Sequence, residues 1–198
     1  STQPMLTNIF RETTFKHPNL GSITQAGLIN NLNDGMIWGI FPLLLASKGF
    51  SIPEIATLVA IYPAVWGLGQ LFTGAAADKL PKKQILFWGM LAQSIALAGF
   101  SVASSFHSMA ILSAFLGIGT AAVYPTFLAA IADNTHPHQR ASSIGIFRLW
   151  RDLGYVFGAI LTGILADSMS MEVAIYTIAG LTFFSSIFIK LRMRTDLR

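Results

Sequence analysis

Acidic, amide and aromatic side chains recur at helical spacing in an otherwise apolar stretch near the start of this 198-residue chain. Asn30, Asp34 and Trp38 follow one another at intervals of four, so a helix would place them on one face. A carboxyl group within such a stretch could contact a polar substrate or exchange a proton. The alternative is a structural hydrogen bond to a neighbouring helix.

A second polar and aromatic stripe lies further along the chain, where Tyr62, Trp66, Gln70 and Thr73 follow at spacings of four, four and three. This stripe indicates either a ligand-lined cavity or aromatic side chains that pack the core. The hypothesis of a substrate or proton-coupling site comprises Asp34, Asn30, Asn31, Trp38, Trp66, Gln70 and Tyr124.

A third group, Arg148, Arg151 and Asp152, carries charge into an apolar run. On a helix, Arg148 lies about 9 Å and Arg151 about 14 Å from the predicted helix start. Arg148 can extend to the interface, and its spacing of four allows an ion pair with Asp152. We expect a structural or gating network, with anion binding as the alternative.

The composition of the chain is far more apolar than that of a soluble protein. Apolar residues make up 53% of the chain, 11% are charged, and the mean hydropathy is +0.59. A typical soluble domain is about 25% charged. A soluble enzyme, a disordered region and a conventional nucleic-acid binder are therefore excluded. Because the chain has no cysteine, it has neither disulfides nor a thiolate metal site.

A helix needs about 20 predominantly apolar residues to cross the bilayer. The sequence predicts an all-α integral membrane protein with a lead-in or linker at 1–20, a bundle at 21–192 and a tail at 193–198. Six transmembrane helices are predicted, at 23–46, 52–76, 84–104, 109–132, 142–166 and 173–191.

The distribution of Lys and Arg predicts the orientation. An even number of spans puts both termini on one side, and 12 of the 13 basic residues fall there, with Lys48 alone opposite. Both termini are therefore predicted to be cytoplasmic, in a multi-pass protein of the cell membrane, inner or plasma. The lead-in lacks the apolar run of a signal peptide and is expected to be either a short interfacial helix or a frayed tail.

An internal repeat links the two halves of the bundle. The pattern Thr-Gly-x-x-Ala-Asp occurs at 73–78 and again at 162–167. Three predicted spans separate the copies, as expected for an inverted repeat in which helices one to three recur as four to six. Chance reuse of small residues is the alternative. Gly154 and Gly158 further predict a close helix–helix contact.

The segment 74–83, GAAADKLPKK, resembles the signature loop of the major facilitator superfamily, with Pro81 in place of the usual loop glycine. The segments 117–125 and 148–155 extend the resemblance. It implies one six-helix half, most like the C-terminal half, with helices three and six facing lipid. It also implies a cytoplasmic gate that comprises Gly74, Asp78, Lys79, Lys82, Lys83, Arg140, Arg148, Arg151 and Asp152.

The resemblance implies the C-terminal half of a secondary transporter, which moves a small solute by alternating access with proton coupling. Asp78 would latch the gate, and the lysines of the loop would either join its charge network or set the topology. The alternative function is a non-transporting six-helix scaffold or assembly partner. No cofactor, metal, nucleic acid or catalytic residue is expected. The expected partners are the bilayer, a small-molecule substrate, and the missing N-terminal half or a second copy.

Overall fold

The computed structural model describes residues 3–195, apart from the side chains of residues 76–78. Within this part of the chain, six long helices follow one another with short connections. A short helical segment precedes them, α-helical over Ile9–Arg11 and π-helical over Glu12–Lys16, and one 3₁₀ turn occupies Pro137–Gln139. The long helices are α1 (Pro18–Ser47), α2 (Ile52–Lys79), α3 (Lys82–Val102), α4 (Phe106–Asp133), α5 (Arg140–Ser168) and α6 (Met171–Arg192).

Five segments of the described chain are long and apolar enough to cross a membrane, against the six predicted. They are Ile52–Ala75, Lys82–Val102, Phe106–Asp133, Pro137–Ser168 and Met171–Arg192. Helix α1 is not among them although it has 30 residues, because amide and carboxyl side chains cluster at its centre. That α1 also crosses the membrane stays a prediction.

The helices pack most extensively in three pairs, α1 with α5, α2 with α4 and α3 with α6. Glycine permits the closest approach. A Cβ atom added at Gly154 would lie 2.1 Å from the Leu28 carbonyl oxygen, and one at Gly158 would lie 2.3 Å from that of Leu32. The predicted close contact through these two glycines is confirmed, with α1 as the partner helix.

Two apolar clusters fill the bundle, one toward each end. The first is centred on Phe41 and Phe100, and the second on Phe127 and Phe147. Large apolar side chains outside the clusters remain exposed, and α2 and α5 are the membrane-length helices with the least burial. The exposed set includes Leu68, Leu71 and Phe72 on α2, and Val156, Phe157, Ile160 and Ile164 on α5.

Proline shapes the contact between α2 and α4. Pro125 lies inside α4 and has no amide hydrogen to donate to the carbonyl of Ala121, four residues earlier. The Thr73 hydroxyl of α2 donates to that carbonyl instead, at 2.6 Å. A side chain of one helix thus completes the backbone hydrogen bonding of another.

The lead-in lies against the ends of α1, α5 and α6. Leu6 and Gln139 exchange two hydrogen bonds of 2.7 and 2.8 Å, which join the lead-in backbone to the amide side chain before α5. The buried Thr13 hydroxyl lies 3.1 Å from that of Ser143, and the Arg192 guanidinium donates to the Phe15 carbonyl. Of the two sequence alternatives for this segment, the short helix is the one observed.

Candidate functional site

Asp34 is held by a side chain of the neighbouring helix. The Tyr62 hydroxyl of α2 donates to Asp34 Oδ1 of α1 at 2.5 Å, and the same hydroxyl lies 3.3 Å from Thr120 Oγ1 of α4. Tyr62 is buried and Asp34 partly buried. Three helices therefore meet at one carboxyl group, and sequence reasoning had not identified Thr120 as part of it.

Two tryptophans extend this cluster, Trp66 on the stripe that the sequence predicts and Trp38 on α1. The ring of Trp38 lies 6.4 Å from that of Tyr62, and the ring of Trp66 meets Tyr124 edge-on at 5.9 Å. Trp38 is exposed, whereas Trp66 Nε1 is buried and has no hydrogen-bond partner among the described residues. Gln70 is partly buried on the same helix and forms no hydrogen bond within the described chain.

Tyr124 also binds Arg151, which the sequence had placed with the gate. Arg151 Nη1 donates to Tyr124 Oη at 2.8 Å, while Nε and Nη2 both donate to Asp152 Oδ1, at 2.9 and 2.7 Å. Arg151 is also close enough to Asp34 to interact electrostatically. Arg151 therefore belongs to the aromatic cluster. Its positive charge on α5 interacts with the carboxyl group of Asp34 on α1.

Arg148 does not pair with Asp152, although their spacing would allow it. Asp152 pairs with Arg151, its neighbour in sequence, and Arg148 is exposed without an ion pair to any described residue. Helical spacing gives the pairs that can meet, but Tyr124 on α4 fixes the position of the Arg151 guanidinium. That contact between helices is not readable from spacing.

Asn30 belongs to a second, fully buried network of side chains. Gln93 Nε2 donates to Asn30 Oδ1 at 3.0 Å, and Asn33 Nδ2 donates to Gln93 Oε1 at 3.0 Å. The Thr182 hydroxyl donates to Asn33 Oδ1 at 2.8 Å. Asn31 lies at its margin, 3.5 Å from Asn30. This network ties α1 to α3 and α6, and it occupies the level between the two apolar clusters.

Gln93, Asn33 and Thr182 are site residues that sequence reasoning did not assign. The available signal was Gln93 itself, the lone strongly polar residue of an otherwise apolar span. Polar groups inside membrane helices generally find partners across helices, so a buried amide predicts another amide or hydroxyl nearby. The sequence does not show which helix supplies the partner of Gln93.

Apart from Arg148, Arg151 and Asp152, the predicted gate residues lie at the end of the bundle that carries the connection between α2 and α3. Lys82 Nζ forms an ion pair of 2.7 Å with Asp133 Oδ2 at the end of α4, which the sequence had not paired. Lys79 and Lys83 have no ion pair to a described residue. The Asp78 side chain, predicted to latch the gate, lies outside the described residues.

The remaining gate residues form few contacts. Arg140 donates to the Ala132 carbonyl at 3.1 Å, and open space surrounds Gly74. Pro81 caps the N-terminus of α3 with φ of −59°, so the turn needs no left-handed residue at the position of the usual glycine. Among the described residues, no group of three His, Asp or Glu side chains could hold a metal ion.

Comparison with known proteins identifies the family. The sequence profile of the Major Facilitator Superfamily matches residues 24–197. The chain belongs to the major facilitator superfamily. Two superfamily transporters with related sequences are the inner membrane transport protein YnfM of Escherichia coli, 24% identical over 139 residues, and the quinolone resistance protein NorA of Staphylococcus aureus, 26% identical over 136 residues. The proteins that the chain resembles are transporters, not enzymes.

Solved structures of transporters share the fold at low sequence identity. A bacterial homologue of the human lysosomal transporter Spinster, in an inward-facing conformation, matches 98% of this chain with a TM-score of 0.78 and 16% identity. A peptide transporter POT in complex with sulfate matches 87% of it with a TM-score of 0.76 and 17% identity.

The superfamily members that match are longer than this chain. The matched region covers 70% of this chain and 33% of YnfM, and 69% of this chain and 35% of NorA. It covers 45% of the Spinster homologue and 37% of the peptide transporter. The chain thus corresponds to between a third and a half of the length of these relatives.

Proposed function

We propose that the chain is the C-terminal half of a secondary active transporter, which moves a small solute across the membrane by alternating access coupled to protons. Asp34 is the proton-coupling or substrate-binding group. The observation that carries this proposal is the Asp34 carboxyl group, which accepts a hydrogen bond at 2.5 Å from Tyr62 on the membrane-length helix α2 and interacts electrostatically with Arg151. A carboxyl group is rarely kept in such surroundings without a function.

The packing of the helices supports a 3+3 inverted repeat. In such a repeat α1 corresponds to α4, α2 to α5 and α3 to α6. The contact between α1 and α5 then corresponds to a contact between α4 and α2, and these two helices also form one of the three most extensive pairs. The same correspondence turns α3–α4 into α6–α1, and both of these pairs are also in contact. Helices α3 and α6 exchange with each other and pack together. A bundle built from two related units would have this pattern.

The exposed faces of α2 and α5 support a missing partner. Large apolar side chains line both helices, and Trp38 of the aromatic cluster is exposed as well. The region matched in longer relatives leaves room for another half. We infer that an N-terminal six-helix half, or a second copy of this chain, covers this side and completes the substrate cavity between the two.

We also infer that both termini are cytoplasmic. The basic residues concentrate at the end of the bundle where α2 gives way to α3 and where the lead-in is docked. Positive residues near the ends of membrane helices are retained on the cytoplasmic side. Reaction of single cysteines, at Ser51 for one end and at Ser142 for the other, with a membrane-impermeant thiol reagent tests the orientation. Labelling of Ser142→Cys from outside intact cells would contradict it.

The first experiment on the proposed function is the mass of the polypeptide that carries this sequence in its native membrane. A mass of about twice 21.4 kDa is expected for a transporter with both halves in one chain. A mass near 21.4 kDa together with self-association would instead show that the partner is a second copy of this chain. A mass near 21.4 kDa with neither self-association nor a second co-purifying membrane polypeptide would contradict the proposal that a partner completes the cavity.

The second experiment measures transport by that complete polypeptide in proteoliposomes with an imposed proton gradient. Quinolones are a first choice of solute because NorA is named for quinolone resistance. We expect Asp34→Asn to abolish gradient-driven transport while expression and folding persist. The matched control is Asp167→Asn, an exposed acid at the end of α5, which should transport normally. Unchanged coupling in Asp34→Asn would exclude Asp34 as the coupling group, and no transport of any solute by the parent protein would favour the scaffold.

A further inference from the structure

A basic cleft opens at the end of the bundle where four membrane helices terminate. We define it by Lys79, Lys82 and Lys83 around the α2–α3 connection, Asp133 at the end of α4, and Arg194 just after α6. Its volume of about 180 Å³ is well above the ~10–15 Å³ that one water molecule requires. The cleft lies away from the Asp34 cluster, and the proposed transport mechanism does not use it as a binding site.

The charges that line the cleft are unbalanced among the described residues. Four cations line it with one acid, and Asp133 is already paired with Lys82 at 2.7 Å. Lys79, Lys83 and Arg194 form no side-chain hydrogen bond or ion pair with any described residue. Three positive groups in one concave site therefore have no described counter-ion.

The wall of the cleft is fixed by buried hydrogen bonds. Asn19 Nδ2 donates to Asn134 Oδ1 at 2.8 Å, and Asn134 Nδ2 donates to the Ala130 carbonyl at 2.8 Å. The backbone amide of Arg194 donates to Asn19 Oδ1, also at 2.8 Å. These bonds join the start of α1, the end of α4 and the segment after α6. The backbone that forms this wall of the cleft is thus fixed by the fold.

The position of the cleft identifies the kind of anion. The apolar stretches of α2, α3, α4 and α6 reach their ends at residues 75, 82, 133 and 192, so the cleft lies at the level where hydrocarbon meets water. Within two turns of the same ends of their helices, Trp88 on α3 and Leu191 on α6 have exposed apolar side chains, which acyl chains of a bound lipid could contact. Basic pockets between membrane helices at this level suit anionic lipid headgroups.

We propose that the basic cleft binds the phosphate group of an anionic phospholipid, with Lys79, Lys83 and Arg194 as its ligands. Lys82 has a positioning role, since its ion pair with Asp133 anchors the first turn of α3 on α4. The proposal does not depend on the transport function, since it concerns residues at another level of the bundle.

The test measures lipid binding to the complete polypeptide by native mass spectrometry in detergent. The probes are dioleoyl phosphatidylglycerol, dioleoyl phosphatidylcholine and inorganic phosphate. We expect phosphatidylglycerol to bind more tightly than phosphatidylcholine. The substitutions Lys79→Gln, Lys83→Gln and Arg194→Gln each remove one cation, and each should weaken phosphatidylglycerol binding about fivefold. The matched control, Lys190→Gln with Arg11→Gln, removes two exposed cations from outside the cleft and should bind like the parent protein.

Three outcomes would overturn the proposal. Equal binding of both lipids by the parent protein would show that no anionic headgroup is selected, and unchanged binding in the triple variant would place the lipid elsewhere. If millimolar phosphate binds through the same three residues while phosphatidylglycerol does not, the ligand is free phosphate and the lipid assignment is wrong.

Because the triple variant could fail to fold, the double variant Lys79→Arg with Lys83→Arg provides a second test. It keeps the charge and should keep binding.

Discussion

The hydroxyl group of Tyr62 on α2 donates to the carboxyl group of Asp34 on α1 across 2.5 Å. A second tyrosine, Tyr124 on α4, accepts a hydrogen bond from Arg151 on α5 at 2.8 Å. Each tyrosine directly precedes a proline inside its helix, Pro63 in one case and Pro125 in the other. Each also packs against a tryptophan. Two tyrosines in similar surroundings therefore bind the two charged groups of the candidate site, the Asp34 carboxyl group and the Arg151 guanidinium group.

The Tyr62–Asp34 hydrogen bond should couple the two residues energetically. We expect Tyr62→Phe to destabilise the protein by ~1.5–3 kcal/mol, because it leaves the carboxyl group without its donor. The cost should be smaller when Asp34 is already replaced by Asn, since the charge is then gone. A double-mutant cycle on thermal unfolding of the purified chain measures this coupling. Strictly additive effects of the two substitutions would contradict it.

The close packing of α1 on α5 predicts different effects on stability for two alanine substitutions on α5. Gly154→Ala places a methyl group 2.1 Å from the Leu28 carbonyl oxygen, so the helices must separate, at a cost of ~1–3 kcal/mol. Gly145→Ala meets no atom within 4 Å and should be neutral, or stabilising by up to ~1 kcal/mol through helix propensity. The unfolding temperatures of both variants decide this. Equal effects would disprove close backbone contact at Gly154.

The hydrogen bond from Thr73 to Ala121 should matter only because of Pro125. Thr73→Val leaves the Ala121 carbonyl without a donor, and we expect a loss of ~1–3 kcal/mol. In a Pro125→Ala background, the restored amide can donate to the same carbonyl, and the loss should be smaller. Thermal unfolding of the four proteins in this cycle measures the difference. A loss of equal size in both backgrounds would show that the Thr73 hydroxyl acts elsewhere.

The lead-in should contribute to stability through its hydrogen bonds with Gln139 and Ser143. Removal of residues 1–16 should lower the unfolding temperature by ~2–4 °C for each kcal/mol lost. Removal of residues 1–5 is the matched control, since Leu6 and Thr13 remain in place. If both truncated chains unfold at the parent temperature, the docked lead-in has no stabilising role.

The sequence predicted the helices because apolar runs of membrane length leave little freedom for another fold. It predicted their ends less well. Helix α1 begins at Pro18, five residues before the predicted span, because His17 and Pro18 start the helix outside the apolar run. Helical periodicity correctly placed Asp34 and Trp38 on one side, since this relation is internal to one helix. The periodicity of one helix could not predict that both residues contact Tyr62, because Tyr62 lies on another helix.

Contacts between helices were the part that the sequence could not give. Asn30 and Asp34 share a face by spacing, yet Asn30 binds Gln93 and Asp34 binds Tyr62. Which partner each residue meets depends on how α2 and α3 cross α1. The pairing of Lys82 with Asp133 joins residues that are 51 positions apart and likewise depends on the packing of α3 against α4.

The dependence of α4 on Thr73 has a consequence for the order of biosynthesis. Because Pro125 has no amide hydrogen, α4 enters the bilayer with the Ala121 carbonyl unpaired, and hydrocarbon offers no water to satisfy it. Helix α2 precedes α4 in the chain and is therefore made first. When α4 leaves the ribosome, the hydroxyl that completes it is already present in the preceding hairpin. The nascent chain thus supplies in advance the group that its later helix lacks.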